Sequence, residues 1–320
     1  VMPLLYAAVA IRLMQVYAKA LQAAQGAKTK LEQRVKEVTA DLVLVCDTGQ
    51  WDKDTPAIST QLRGLAGLEV FLTGPSRDLH SGLYGGAAVN PIHVLSKIVA
   101  DLHDAQGRVT VPNFYDGVED LPDDIAKQWR ALDFDENAFL GDVGLSVPAG
   151  EHDRSVLEQI WARPTCDVNG IFGGYTAKGS KTVLPAQASA KFSFRLVGKQ
   201  NPAAIAENFR SFVRARLPDD CEADFQSHGA SPALQLPFGS EALSRARRAL
   251  AQEWGKEAAM IGSGGSIPIV GSFKRDLKMD SLMVGFGLDD DRVHSPNEKY
   301  ELSSFQKGAR SWARILAALS

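Results

Sequence analysis

Cysteine is scarce in this chain. Its 320 residues include three, Cys46, Cys166 and Cys221. An odd number with no C-x-x-C pair cannot form a closed disulfide framework, so reduced, buried thiols in a cytoplasmic protein are expected. Charge of one sign is not in excess either. The 35 Lys and Arg against 38 Asp and Glu leave a formal net charge of −3, which argues against a basic nucleic-acid footprint. Long apolar runs are missing. Residues 1–10 are apolar, but Arg12 and Lys19 follow well before the roughly 20 residues a membrane span needs, so no membrane association is expected. The basic residues follow the apolar run where a signal peptide needs them before it. With Val at position 1, a processed or truncated start is expected. No repeat of solenoid or propeller length occurs. G-x-S-x-G, the phosphate-binding P-loop and H-E-x-x-H are all absent. Ser304-Phe305-Gln306-Lys307 fits the loose S-x-x-K pattern, but no companion motif accompanies it.

What remains is ordinary globular composition, 45% hydrophobic and 23% charged, at a length that suits two domains of about 150 residues each. Residues 1–38 carry Ile11, Met14, Leu21, Leu31, Val35 and Val38 at helical spacing, with Gly26 separating two expected helices. Leu42–Cys46 reads as a buried strand ending at Asp47-Thr48-Gly49. Leu68, Val70 and Leu72 alternate as a strand, and Asn90-Pro91 opens a helix bearing Ile92, Leu95, Ile98, Val99 and Leu102. The same unit recurs, with Phe192, Phe194 and Leu196 followed by Asn201-Pro202 and a helix bearing Ile205, Phe209, Phe212 and Val213. A polar insertion (about 111–165), a strand Val168–Phe172 and an alternating piece Cys221–Phe225 complete a ferredoxin-like split βαβ pattern. Beyond Pro237 the texture is α/β. A helix carries Leu243, Ala246, Leu250 and Trp254, Ala258–Ile261 runs into Gly262-Ser263-Gly264-Gly265-Ser266, and Leu282–Phe286 is a buried strand. A closing helix uses Phe305, Ala309, Trp312, Ile315 and Leu316.

Candidate chemistry sits mainly where strands end. Asp47 can ligate a metal or cap a turn. His294 is a ligand candidate or an ordinary loop histidine. The glycines at 262–265 suit either an anion at a helix start or a tight turn. Arg195 lies mid-strand on the face opposite the phenylalanines, where its fork can grip a carboxylate or simply face solvent. His93, His103, His152 and His228 have no motif context and read as structural.

In order, Val45-Cys46-Asp47-Thr48-Gly49, Arg63-Gly64-Leu65, Asp78-Leu79-His80-Ser81-Gly82, Lys181-Thr182-Val183-Leu184-Pro185, Phe192–Val197, Gly264-Gly265-Ser266-Ile267-Pro268 and His294-Ser295-Pro296-Asn297-Glu298 resemble the co-catalytic metallopeptidases of the carnosinase, aminoacylase and succinyl-diaminopimelate desuccinylase group. This is peptidase family M twenty, and the dipeptidase branch is the nearest. The resemblance runs from about residue 40 to the end. It implies an α/β fold, a partial zinc-peptidase-like catalytic domain (1–63 and 231–320) with an inserted ferredoxin-like α+β lid and dimerisation domain (64–230). It further implies Asp47 and His294 as ligands in a two-metal zinc or manganese site. His80 would stabilise the oxyanion across a homodimer. Thr182, Arg195, Gly265 and Ser266 would hold the carboxylate of a small peptide or acyl-amino-acid substrate. In such a site the metals polarise the scissile carbonyl and activate water.

The chain departs from the family's pattern in one respect. The H-x-D motif, the bridging aspartate and the Glu-Glu pair have no counterpart; no histidine precedes His80, and no Glu-Glu dipeptide occurs. Three readings follow. The chain is an incomplete or inactive piece of a metal-dependent dipeptidase, its missing ligands arrive from another polypeptide, or it is a non-catalytic dimeric protein that binds carboxylate ligands.

Overall fold

The computed structural model describes residues 41–320 except His294. The two expected N-terminal helices and the His294 assignment therefore lie outside the described residues.

Along the chain come strands β1 (Leu42–Val45), β2 (Ala57–Leu62), β3 (Gly64–Thr73) and β4 (Leu79–His80), then helices α1 (Ser81–Tyr84), α2 (Pro91–Ala100), α3 (Asp123–Arg130), α4 (Glu136–Asp142) and α5 (Val156–Trp161). There follow β5 (Thr165–Gly173), β6 (Val183–Leu184), β7 (Gln187–Leu196), α6 (Pro202–Arg214), β8 (Glu222–Ser231) and β9 (Leu234–Gln235). The chain closes with α7 (Glu241–Trp254), β10 (Ala259–Ser263), α8 (Pro268–Leu277), β11 (Asp280–Met283) and α9 (Leu302–Leu319).

The inserted unit is an antiparallel sheet in the order β5-β7-β3-β8, the ferredoxin-like arrangement that two strand–helix–strand units give. Period-two alternation builds it. Ala66, Leu68, Val70 and Leu72 of β3 and Phe192, Phe194 and Leu196 of β7 point to one face. The apolar stripes of α2 (Val94, Leu95, Ile98) and α6 (Ile205, Phe209, Phe212, Val213) cover that face. Both helices start where their sequences place them. Asn90 Oδ1 accepts the Ile92 amide at 3.0 Å and Asn201 Oδ1 the Ala203 amide at 2.9 Å, with proline at the first turn of each helix.

The second sheet is mixed, in the order β1-β11-β2-β10 with β9 beside β2. β1 runs parallel to β11 and β2 parallel to β10, and a single antiparallel pairing, Met283 with Ser59, joins the two pairs. Helices α7 and α9 pack on it through Leu243, Ala246, Leu250, Trp254 and Ile315. Helices α3 and α5, from the polar insertion, also pack on this sheet and not on the lid. Ile125 and Trp129 are buried in its core, and Trp129 Nε1 donates to the Met260 carbonyl at 2.7 Å.

Three expectations need correction. Cys46 is exposed, unlike Cys166 and Cys221, because it lies beyond the end of β1. β1 itself is half-buried, since it forms the edge of its sheet. In α9 Phe305 and Leu316 face outward, and the buried face is Ser304, Gly308, Ser311 and Ile315. The Phe286 ring lies against this face: a Cβ on Gly308 would come within 2.6 Å of it, so position 308 takes no side chain.

Candidate active site

Two loops that follow strands line one cavity of about 300 Å³. The loop after β1 contributes Asp47, Thr48, Gly49, Gln50 and Trp51, and the loop after β10 contributes Gly262 to Ile267, with Ser59, Trp161 and Asp289 completing the wall. The first loop is held by backbone contacts. The Gln50 amide donates to the Gly287 carbonyl at 2.9 Å. Gly285 lies so close that a Cβ there would sit 1.7 Å from the Thr48 carbonyl oxygen. In the second loop the Gly265 amide donates to Ser263 Oγ at 3.2 Å. A Cβ on Gly262 would meet the Trp161 side chain at 2.5 Å, so the indole packs directly on the loop's backbone.

The cavity wall is rich in acceptors. Asp47 is exposed, and Asp289 has its carboxyl raised above the ordinary value, first by burial and then by neighbouring Asp290. Gln50 is 5% exposed; its Nε2 donates to the Asp52 carbonyl at 2.8 Å, while its Oε1 has no partner among the described residues, nor has the buried Thr48 Oγ1. Yet among the described residues no three His, Cys, Asp or Glu side chains come together to hold a metal ion. With Asp47 the described donor set falls short of the three or four that divalent ions take from protein.

His80 and Thr182 meet elsewhere. β4 pairs with β6 at the lid's periphery, His80 opposite Val183, and the Ser81 amide donates to the Thr182 carbonyl at 3.0 Å. His80 is exposed and its Nδ1 accepts the Gly82 amide at 3.0 Å. In the neutral ring this leaves the proton on Nε2, making that nitrogen a donor. Neither residue lines the cavity of Asp47 and Ser266.

Arg195 is half-buried on β7, opposite Leu65 and Thr165. Its charge reaches Arg63, which the sequence reading placed in a motif without giving it a role. Arg63 sits between β2 and β3; its Nε donates to the Gly264 carbonyl at 3.3 Å and its Nη1 to the Gln159 carbonyl at 3.4 Å. Burial first, then Arg195, lowers the Arg63 pKa to about 10, with Asp167 acting in the opposite direction. The structure therefore brings Asp47, Gly265 and Ser266 to one cavity, ties the loop of the last two to Arg63, and sets His80 and Thr182 side by side on the lid. Trp161, Gln50 and Asp289 carried no sequence signal, because their roles arise from packing between distant segments.

An α/β module interrupted by a ferredoxin-like lid, with polar loops gathered after its strands, defines a peptidase-type architecture. The peptidase dimerisation domain profile of the M20 family matches residues 60–221. The chain belongs to the M20 peptidase family. It is 28% identical over 276 residues to the Cys-Gly metallodipeptidase DUG1 of Candida albicans, covering 85% of this chain and 56% of that protein. It is 26% identical over 284 residues to human Beta-Ala-His dipeptidase, covering 88% and 56%. Among solved structures, the M20 family metallo-carboxypeptidase Sso-CP2 from Sulfolobus solfataricus superposes with a TM-score of 0.77 at 27% identity, covering 90% of this chain and 65% of that one. The dipeptidase Dug1p of Saccharomyces cerevisiae gives 0.72 at 25%, covering 87% and 59%. The chain thus spans somewhat more than half the length of the curated relatives. No helix among the described residues is long and apolar enough to cross a membrane.

Proposed function

We propose that this chain is the lid-bearing, carboxylate-binding portion of a dipeptidase-type, zinc- or manganese-dependent amide hydrolase, and that alone it binds its substrate without turning it over. One observation carries the reading: Asp47 and the Gly265–Ser266 loop, far apart in sequence, line the same cavity. Arg63 holds that loop's Gly264 carbonyl and lies within electrostatic reach of Arg195.

In this reading Gly265 and Ser266 hold the substrate's carboxylate with the Arg195 guanidinium, which orients the scissile amide. Thr182, which stands beside His80 away from this cavity, reaches the carboxylate together with His80 from the lid. His80, with its Nε2 proton, supplies the donor for an oxyanion from the lid, across a homodimer through the lid domain. Asp47 and His294 would each supply one ligand to a metal that polarises the scissile carbonyl, a set that needs further donors to hold the ion. Domain limits near residues 64 and 230 belong to the same reading; the change from one sheet to the other supports them, with helices α3 and α5 of the insertion lying against the second sheet. The likeness to the metallodipeptidases supports the substrate class, a dipeptide or acyl amino acid, and a cytoplasmic setting suits the three cysteines.

Equilibrium dialysis against zinc and against manganese, followed by dipeptide calorimetry with and without chelator, tests this. The expected result is fewer than two tightly held metal equivalents, no turnover, and dipeptide binding that persists in chelator and is lost in Arg195→Gln. Two tight equivalents with turnover would overturn the incompleteness. Absence of dipeptide binding would overturn the carboxylate-binding role. Binding that survives Arg195→Gln would remove Arg195 from the site.

A further inference from the structure

A second cavity, about 180 Å³, lies on the other side of the same loop. Both chain crossings between the modules line it. Leu62 and Arg63 belong to the outgoing crossing, and Ala230, Ser231, Pro232 and Leu234 to the returning one. The crossings touch through Gly64, where a Cβ would lie 2.5 Å from the Ala233 amide nitrogen and 2.6 Å from the Ser231 carbonyl oxygen. This is the hinge of the molecule. The opposite wall is Ser266 and Ile267, then Gly271, Ser272 and Arg275 of α8.

The chemistry of the lining is one-sided. It offers two guanidinium groups and three serines, and no carboxylate among the described residues lines it. Arg63 makes only long hydrogen bonds to two carbonyl oxygens, and the nearby Arg195 repels it. Arg275 is exposed; its Nε and Nη2 donate to the two carboxylate oxygens of Asp276, both at 2.9 Å, and Nη2 also donates to Ser272 Oγ at 3.2 Å, so an anion would meet its remaining Nη1. Among the described residues Arg63 pairs with no carboxylate, while Arg195 and Asp167 act on it in opposite directions. A positive charge left under-compensated in a polar, hydroxyl-lined cavity favours an anion.

We propose that the hinge cavity binds a compact oxyanion, a carboxylate or phosphate group, which bridges Arg63 and Arg275 and braces the lid against the catalytic module. The cavity shares Ser266 and Ile267 with the Asp47 cavity. An anion in the hinge therefore stiffens the loop that lines the candidate substrate site. The proposal does not depend on hydrolase activity, and neither does its test.

The full chain is titrated with inorganic phosphate and, separately, with acetate, following the thermal midpoint and the heat of binding against sodium chloride at matched ionic strength. Saturable stabilisation at one equivalent is expected for at least one of the two probes, and the one that saturates distinguishes phosphate from carboxylate as the ligand. Arg275→Gln, an exposed helix position, should retain the fold by circular dichroism and bind the anion at least about tenfold more weakly. Arg63→Lys keeps the charge but loses the fork, and should weaken binding as well. A response to both probes no larger than that to sodium chloride, or equal binding by Arg275→Gln, overturns the site.

Discussion

Gly285 sets the position of Asp47. The Thr48 backbone packs onto it at a distance no side chain could share, with the carbonyl oxygen 1.7 Å from where a Cβ would be. Gly285→Ala must therefore push out the loop that carries Asp47, or displace Val284 and Phe286, both buried in the second sheet's core. The expected cost is more than about 2 kcal/mol, the range of substitutions that force backbone apart inside a packed region. Chemical denaturation of the variant measures it. A loss below about 0.5 kcal/mol, the size expected for an innocuous surface change, would show that the loop yields freely and that Asp47 is not rigidly placed.

At the scale of elements, α7 and α9 are joined by a carboxylate clamp. Glu253 accepts from Arg310 Nε at 2.7 Å and from Arg314 Nε at 3.0 Å. The Arg310 hydrogen bond is the largest influence on its carboxyl, and with Arg314 it outweighs burial and lowers the pKa. A carboxyl depressed in the folded state adds stability that is complete above the unfolded glutamate value, about 4. That stability is lost as pH falls through the folded value. Glu253→Gln should therefore lower the urea midpoint at pH 7 by an amount worth under about 1 kcal/mol, since both arginines are half-exposed and screened. The gap to the wild type should narrow as the pH is taken from 7 to below the unfolded glutamate value of about 4. A gap of equal size at both pH values would show that the substitution acts through packing.

The elements also divide by how plainly the sequence displays them. The lid's central strands and helices were legible, because period-two alternation in Leu68–Leu72 and Phe192–Leu196 and the Asn-Pro starts at 90–91 and 201–202 are local signals of one-sided burial. The loops bearing Asp47 and Gly265–Ser266 were legible as polar strand ends, though not that they share a cavity. Other features depend on partners far away in sequence. The polar insertion hides Ile125 and Trp129, whose burial needs the Met260 carbonyl and β10 as partners. The buried face of α9, with Phe305 and Leu316 turned outward, has the Phe286 ring against Gly308. Arg63 was visible as a motif residue, but its role arises only where Gly264, Gln159 and Arg195 surround it.

At the scale of the whole molecule, two cores are built differently. The lid core closes around an aromatic cluster, with Phe209 centred 4.8 Å from Phe192 and 5.1 Å from Phe194. Strands of 9 or 10 residues support it. The other core rests on strands of 4 to 6 residues, has the half-buried β1 at its edge, and relies on α3, α7 and α9 to cover it. Among the described residues the hinge crossings and the insertion link the two, and the insertion's Ile125 and Trp129 belong to the second core. Calorimetry should thus resolve two transitions, the lid melting at the higher temperature and the insertion melting with the second sheet. Phe209→Ala should lower the upper transition at a cost of about 3–5 kcal/mol and leave the lower one in place. Leu250→Ala should lower the other by about 2–5 kcal/mol. A single transition that both variants shift equally would mean that the hinge couples the modules into one cooperative unit. In that case any anion bracing the hinge would act on the stability of the whole chain and not on the lid's position alone.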